Sequence, residues 1–182
     1  MELAGNWTGG LVLDWHRRFR NGDWRRTAYG NPRTALGSMV YSLKFGGSVA
    51  AALSLGRLLA DAVDAQAISR CLLIPVPGTP RRDWQPAAML AHVMSNLLAW
   101  PLQEDVFEKR DCEASTRDMP SIVAKHAYLR QNLALLTPPN PGPLSIMLID
   151  DVVSTGATFN AAIRLLAPLH SPVYVVAATR GD

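Results

Sequence analysis

Apolar residues along this chain recur at two different periods. Leu36, Met39, Val40 and Leu43 follow helical spacing from Thr34 until Phe45, Gly46 and Gly47 interrupt them, and a second helical run extends from Val49 to about Ala65. Cys71–Pro77 is a short apolar run closed by prolines, which predicts a buried strand, because proline is tolerated at the ends of a strand and not in its middle. Helical spacing returns from Trp84 to Ala99 and stops before Pro101. Leu102–Glu108 reads as a short strand, and Ile122–Leu136 as a helix bounded by Pro120 and Pro138. Beyond the stiff connector Pro138–Pro143, the pattern predicts a strand over Leu144–Ile149, a helix over Phe159–Leu169 and a buried strand over Val173–Thr179.

Residues 1–33 carry five glycines, three tryptophans and the alternating patches Leu11–Trp15 and Trp24–Tyr29 on either side of Asn21, Gly22 and Asp23. This predicts a small hairpin ahead of a core spanning residues 34–182. The strand, helix, strand order of that core predicts an α/β fold, with a mainly parallel sheet covered by helices on both faces. Ligands in such folds bind beyond the carboxyl ends of the strands.

A length of 182 residues suits one domain over residues 1–182, and 48% hydrophobic against 18% charged residues is too apolar for a disordered chain. The first residues lack the basic start and apolar run of a signal peptide, and no apolar stretch approaches bilayer length, so the expectation is a cytoplasmic protein without a membrane partner. Cys71 and Cys112 are too few for a disulfide framework or a four-thiolate zinc site. The formal charge of +3 favours anionic ligands without singling out nucleic acid.

The segment Ile146–Thr158 concentrates the chemistry. Asp150 and Asp151 stand at a strand end, and an ionised carboxylate is a pure acceptor suited to a ribose diol. Behind them, Ser154, Thr155 and Thr158 offer hydroxyl donors, and Gly156 permits positive φ and close approach of the backbone. Amides from Val153 through Ala157 would turn inward at the start of a helix and form an anion nest. Together these are the needs of a phosphorylated ribose. Two acids after an apolar strand also occur in Walker-B segments, but that reading requires a Gly-x-x-x-x-Gly-Lys-Ser/Thr loop, and the chain has none.

Four apolar residues, two acids and Thr155-Gly-x-Thr158 resemble the signature of type I phosphoribosyltransferases. Over residues 36–180 the chain is similar to the ComF-like, amidophosphoribosyltransferase-like branch of that family. The matching pieces are Leu43–Gly47, Ile74–Pro77, Arg81 and Arg82 with Trp84 and Gln85, Arg130 with Asn132, and the signature itself. The resemblance implies a five-stranded, mainly parallel core with a small hood drawn largely from the N-terminal region. It also implies Mg²⁺ and phosphoribosyl pyrophosphate as ligands, and displacement at C1 of the ribose. Asp150 and Asp151 would hold the ribose and the metal, directly or through water, and Arg81 and Arg82 would assist the departing pyrophosphate. Lys44 and Arg110 resemble basic positions of the family.

Two departures accompany the likeness. The zinc ribbon with which members of the branch often begin is missing. The basic stretch that usually follows the Pro-Val-Pro strand is shortened to Arg81–Gln85. The trimmed stretch motivates an alternative of another class, a ribose-phosphate sensor or DNA-uptake accessory protein that binds without turnover. His16–Arg20, Arg25 and Arg26, flanked by Trp15 and Trp24, have the basic and aromatic mixture of single-strand nucleic-acid surfaces, although a cationic hood over an anionic substrate would look similar. His92, His126 and His170 show no metal spacing, Trp84 and Trp100 read as packing residues, and the oligomeric state stays open, a homo-oligomer included.

Overall fold

The computed structural model describes residues 1–28, 30–78, 83–110, 119 and 121–181. Four parallel strands form the main sheet in the order β1 (Gly9–Trp15), β6 (Val173–Arg180), β5 (Ser145–Val153), β2 (Cys71–Pro75). β2 is buried at every residue and β5 and β6 at most, which is why their sequences run apolar without alternation: both of their faces are covered. Helices α2 (Ala35–Gly46), α3 (Val49–Ala65) and α4 (Pro86–Leu98) cover one face. Their Val40, Leu43, Leu55, Leu59, Leu90 and Met94 pack on Leu73, Met147, Ile149 and Val176. The other face lies under α5 (Ile122–Asn132), α6 (Ala157–Leu166) and a two-stranded antiparallel ribbon of β3 (Phe107–Lys109) and β4 (Leu133–Leu135), where Phe159, Ala162, Leu129 and Phe107 pack on Ile74, Ile146, Leu148 and Val175. The expected α/β architecture, with a mainly parallel sheet between helices, is therefore present.

Local chemistry sets the helix ends. Thr34, Ser48 and Ser121 each accept a backbone N–H three residues on, from Gly37, Ala51 and Ala124, and so cap α2, α3 and α5. Gly47 closes α2 in the left-handed region, φ +59°, donating its N–H to the Leu43 carbonyl. Pro86 occupies the first turn of α4, where no amide is missed.

Three expectations need correction. Among the described residues the sheet has four strands, and its fifth position, beside β2, holds a one-residue parallel bridge between Leu73 and Leu102. Pro101 lacks an amide and Glu104 and Asp105 are exposed, so a single apolar residue cannot extend the ladder. The helix expected over Ile122–Leu136 stops at Asn132, because Leu133–Leu135 gain more by pairing with β3 over the core. The N-terminal hairpin is absent as drawn. Leu11–Trp15 belongs to β1, an edge strand of the main sheet parallel to β6, and Arg25–Ala28 forms a short helix, α1. Alternation is common to a hairpin arm and an edge strand; here Val12 points to one core and Leu11 and Leu13 to the other. The chain does fold back between Arg17 and Arg33, which form an antiparallel bridge.

Candidate functional site

A cleft of about 790 Å³ opens at the carboxyl end of the sheet, between the tips of β2 and β5 and the start of α6. β5 carries Asp150 and Asp151 inside the strand and ends at Val153, later than the sequence pattern implies. The loop of Ser154, Thr155 and Gly156 then turns directly into α6. Gly156 is the N-cap in the left-handed region, φ +70°, and no side chain caps the helix. A Cβ at this position would lie 3.1 Å from the Trp7 ring, itself edge-on to Phe159 and anchored by its indole N–H to the Leu3 carbonyl at 2.7 Å. Glycine is thus favoured twice, by φ and by the tight approach of the tryptophan behind the loop. The uncapped amides and the helix dipole leave this end open to an anion. The Thr155 hydroxyl is buried and has no partner among the described residues.

The cleft brings together Lys44, Asp150, Asp151, Val153, Ser154, Thr155, Gly156, Ala157 and Thr158 from the expected set. Arg81 and Arg82 lie outside the described residues. Arg110 is exposed and does not line the cleft; its amide bonds the Asn132 carbonyl at 2.9 Å.

Lys44 reaches the cleft from the last turn of α2 and grips both Asp151 oxygens, at 2.9 and 3.2 Å. Its own carbonyl accepts the Trp84 indole N–H at 3.3 Å, and Trp84 lies over Gly47, so the tryptophan clamps the turn that aims the lysine. At the other end of α2, Gly37 sits against the His16 carbonyl at the tip of β1, an approach that a Cβ would forbid. Asp150 accepts the Asp151 amide at 2.8 Å. Its pKa is pushed well above the ordinary carboxylate range, chiefly by removal from water and then by the neighbouring Asp151 charge, with Lys44 pulling the other way.

Sequence reasoning missed two residues. Lys125 of α5 donates to the Ser154 hydroxyl at 3.3 Å, and Lys109, at the end of β3, also lines the cleft. Neither belongs to a local motif. Both arrive because the β3–β4 ribbon and α5 pack over the same sheet end, and their scattered positions carry no signal that distinguishes them from surface lysines.

The basic and aromatic N-terminal residues engage one another. Arg20 and Arg180 lie 5.3 and 5.2 Å from the Trp15 ring centre, and Arg25 lies 5.1 Å from that of Phe19. His16, half-buried, meets the Thr179 hydroxyl at 3.0 Å; desolvation, then Arg17 and Arg33, depress its basicity. His92 pairs with Glu104 at 2.8 Å. Among the described residues no group of three or more His, Cys, Asp or Glu could hold a metal ion, and no helix is long and apolar enough to cross a membrane.

No family model matches the chain, and no curated protein matches it. Among solved structures it is similar to TT1426 from Thermus thermophilus, at 16% identity and a TM-score of 0.43, over 71% of this chain and 74% of that one.

Proposed function

We propose that the cleft binds a ligand carrying ribose 5-phosphate, with phosphoribosyl pyrophosphate the form that uses all of it, and that the chain is a type I phosphoribosyltransferase-like protein of the ComF-like kind. The observation that carries this reading is the direct succession of two acids in the carboxyl-terminal half of β5, an uncapped loop and a helix start along one wall of one cleft. The 5′-phosphate would sit on the Ser154–Ala157 loop with Thr155, Thr158 and the Lys125 ammonium as further donors. Asp150 and Asp151 would accept the ribose hydroxyls one sugar length away.

The donor set fits Mg²⁺ in a limited way. Asp151 is engaged by Lys44, and two carboxylates without a third ligand suit an ion that keeps waters and shares phosphate oxygens with its substrate. When bound, Mg²⁺ would neutralise charge on a departing pyrophosphate. The chain's own part is positioning. Displacement at C1 would form a bond from the acceptor nucleophile to C1 and break the bond to the pyrophosphate oxygen, which leaves with the electron pair, while the acids and the loop hold the two ends of the ribose on either side of the reacting carbon. Lys109, which also lines the cleft, would face the leaving group in this reading, with Arg81 and Arg82 as sequence-based candidates for the same role.

Calorimetric titration with phosphoribosyl pyrophosphate and Mg²⁺ tests the reading. Wild type should bind, and Asp150→Asn with Asp151→Asn should weaken binding at least about tenfold, the loss of one charge-assisted hydrogen bond or more. Equal binding by the double variant would sink the pocket assignment. Pyrophosphate release with nucleophile present separates a transferase from a ribose-phosphate sensor or uptake accessory. Salt-dependent binding of single strands without release favours the accessory role.

A further inference from the structure

A second depression, also of about 790 Å³, lies between α5 and α6, outside the proposed ribose-phosphate cleft. Two short ladders line it: His126 and Arg130, four residues apart on α5, and Asn160 and Arg164, four apart on α6. Residues at that spacing share one helix face, so each pair presents two polar groups to the groove. Among the described residues no aspartate or glutamate lines it, in contrast with the cleft. Among the described residues neither Arg130 nor Arg164 forms an ion pair. The Arg164 guanidinium reaches only the Arg130 carbonyl, at 3.4 Å. Two permanent positive charges and an imidazole therefore line a concavity that holds no carboxylate among the described residues, an arrangement that favours an entering anion.

We infer that this groove is an anion site for a short phosphate chain, whether a free oligophosphate or the chain of a nucleotide. Guanidinium forks match phosphate oxygens in pairs, and the rungs, roughly 5–6 Å apart along each helix, suit neighbouring phosphates of one small ligand. An extended polymer would need a track of cations continuing past the groove, and the lining supplies none. Groove and cleft meet at Ala157, the first residue of α6, and the Asn160 amide donates to the Gly156 carbonyl at 3.1 Å. A ligand here lies directly behind the phosphate loop.

The test is a residue-resolved amide NMR titration of the full chain with inorganic tripolyphosphate. Three forms are compared: wild type, an Arg130→Ser/Arg164→Ser variant, and a Ser154→Ala/Lys125→Ala variant that weakens the cleft. The groove predicts saturable shifts around His126–Arg130 and Asn160–Arg164 that survive in the cleft variant. In the arginine variant they should weaken about tenfold or more, as expected for lost charge-assisted contacts. ATP run in parallel separates the sources: shifts of comparable affinity indicate a nucleotide's chain, and shifts with tripolyphosphate alone indicate a free one. Absence of saturable groove shifts in the cleft variant overturns the inference, as does unchanged affinity in the arginine variant with its spectrum otherwise native. Tighter binding of a single-stranded oligonucleotide at the same residues overturns the small-ligand assignment. Because the cleft is scored at its own residues, failure there leaves the groove result readable.

Discussion

Lys44→Met should destabilise the protein through the carboxylate it leaves behind. The Asp151 side chain is 8% exposed and that of Lys44 19%, with both carboxylate oxygens held by one ammonium. Breaking a buried pair from one side costs about 3–5 kcal/mol, because the remaining charge stays desolvated without a partner. The pair borders a cleft that water enters, so the lower end applies, about 3 kcal/mol. For a chain of this size that corresponds to a fall in Tm of about 6–12 °C. Urea unfolding at pH 7, followed by circular dichroism and checked by thermal melts, measures it. The decisive comparison adds Asp151→Asn. Removing the orphaned charge should recover most of the loss, giving a double-mutant coupling well above that of an exposed pair. A single-variant cost below about 1 kcal/mol, the range of surface ion pairs, or strict additivity in the cycle, would refute the reasoning.

Three further outcomes follow from the same geometry. Burial, then Asp151, raises the folded pKa of Asp150 above an unfolded value of about 3.9, so its stabilising contribution is complete below that value and is lost as pH rises through the folded one. Asp150→Asn should therefore gain stability relative to wild type as pH rises through that interval, and urea titrations showing a flat difference would contradict it. Gly156→Ala forces a side chain into the left-handed region and against Trp7, for a loss of about 1–2 kcal/mol or more; an unchanged melting temperature would count against the loop geometry. Burial pushes the Cys71 thiol up to about 11, so thiol reagents at pH 8 should label its peptide slowly in the native protein and quickly in urea, by mass spectrometry. Equal rates would place it at the surface.

The elements most legible in sequence were those whose local pattern and tertiary role agree. The helices expected from Thr34 and from Val49 are α2 and α3, which the structure caps with Thr34 and Ser48, and Cys71–Pro75 is a strand buried on both faces. Legibility failed where two structures share one pattern. Leu11–Trp15 alternates equally well as a hairpin arm or as an edge strand, and only the free edge of β6 selects the second. Leu133–Leu135 continues a helical periodicity yet pairs with β3, a contact made across more than twenty intervening residues.

The site divides in the same way. From Asp150 to Thr158, acceptors, hydroxyls and the glycine are consecutive, so their chemistry is set by chain order alone, and strand-to-helix geometry places them on one wall. Of the cations that face that wall, Lys44 was expected from the family resemblance, whereas Lys109 and Lys125 were decided only by tertiary structure. Lys44, Lys109 and Lys125 come from three separate elements, and their convergence depends on how α2, β3 and α5 pack over the end of the sheet. Burying the Asp151 carboxylate requires compensating charge; the resemblance pointed to Lys44 as a basic position, and packing decides that it grips Asp151.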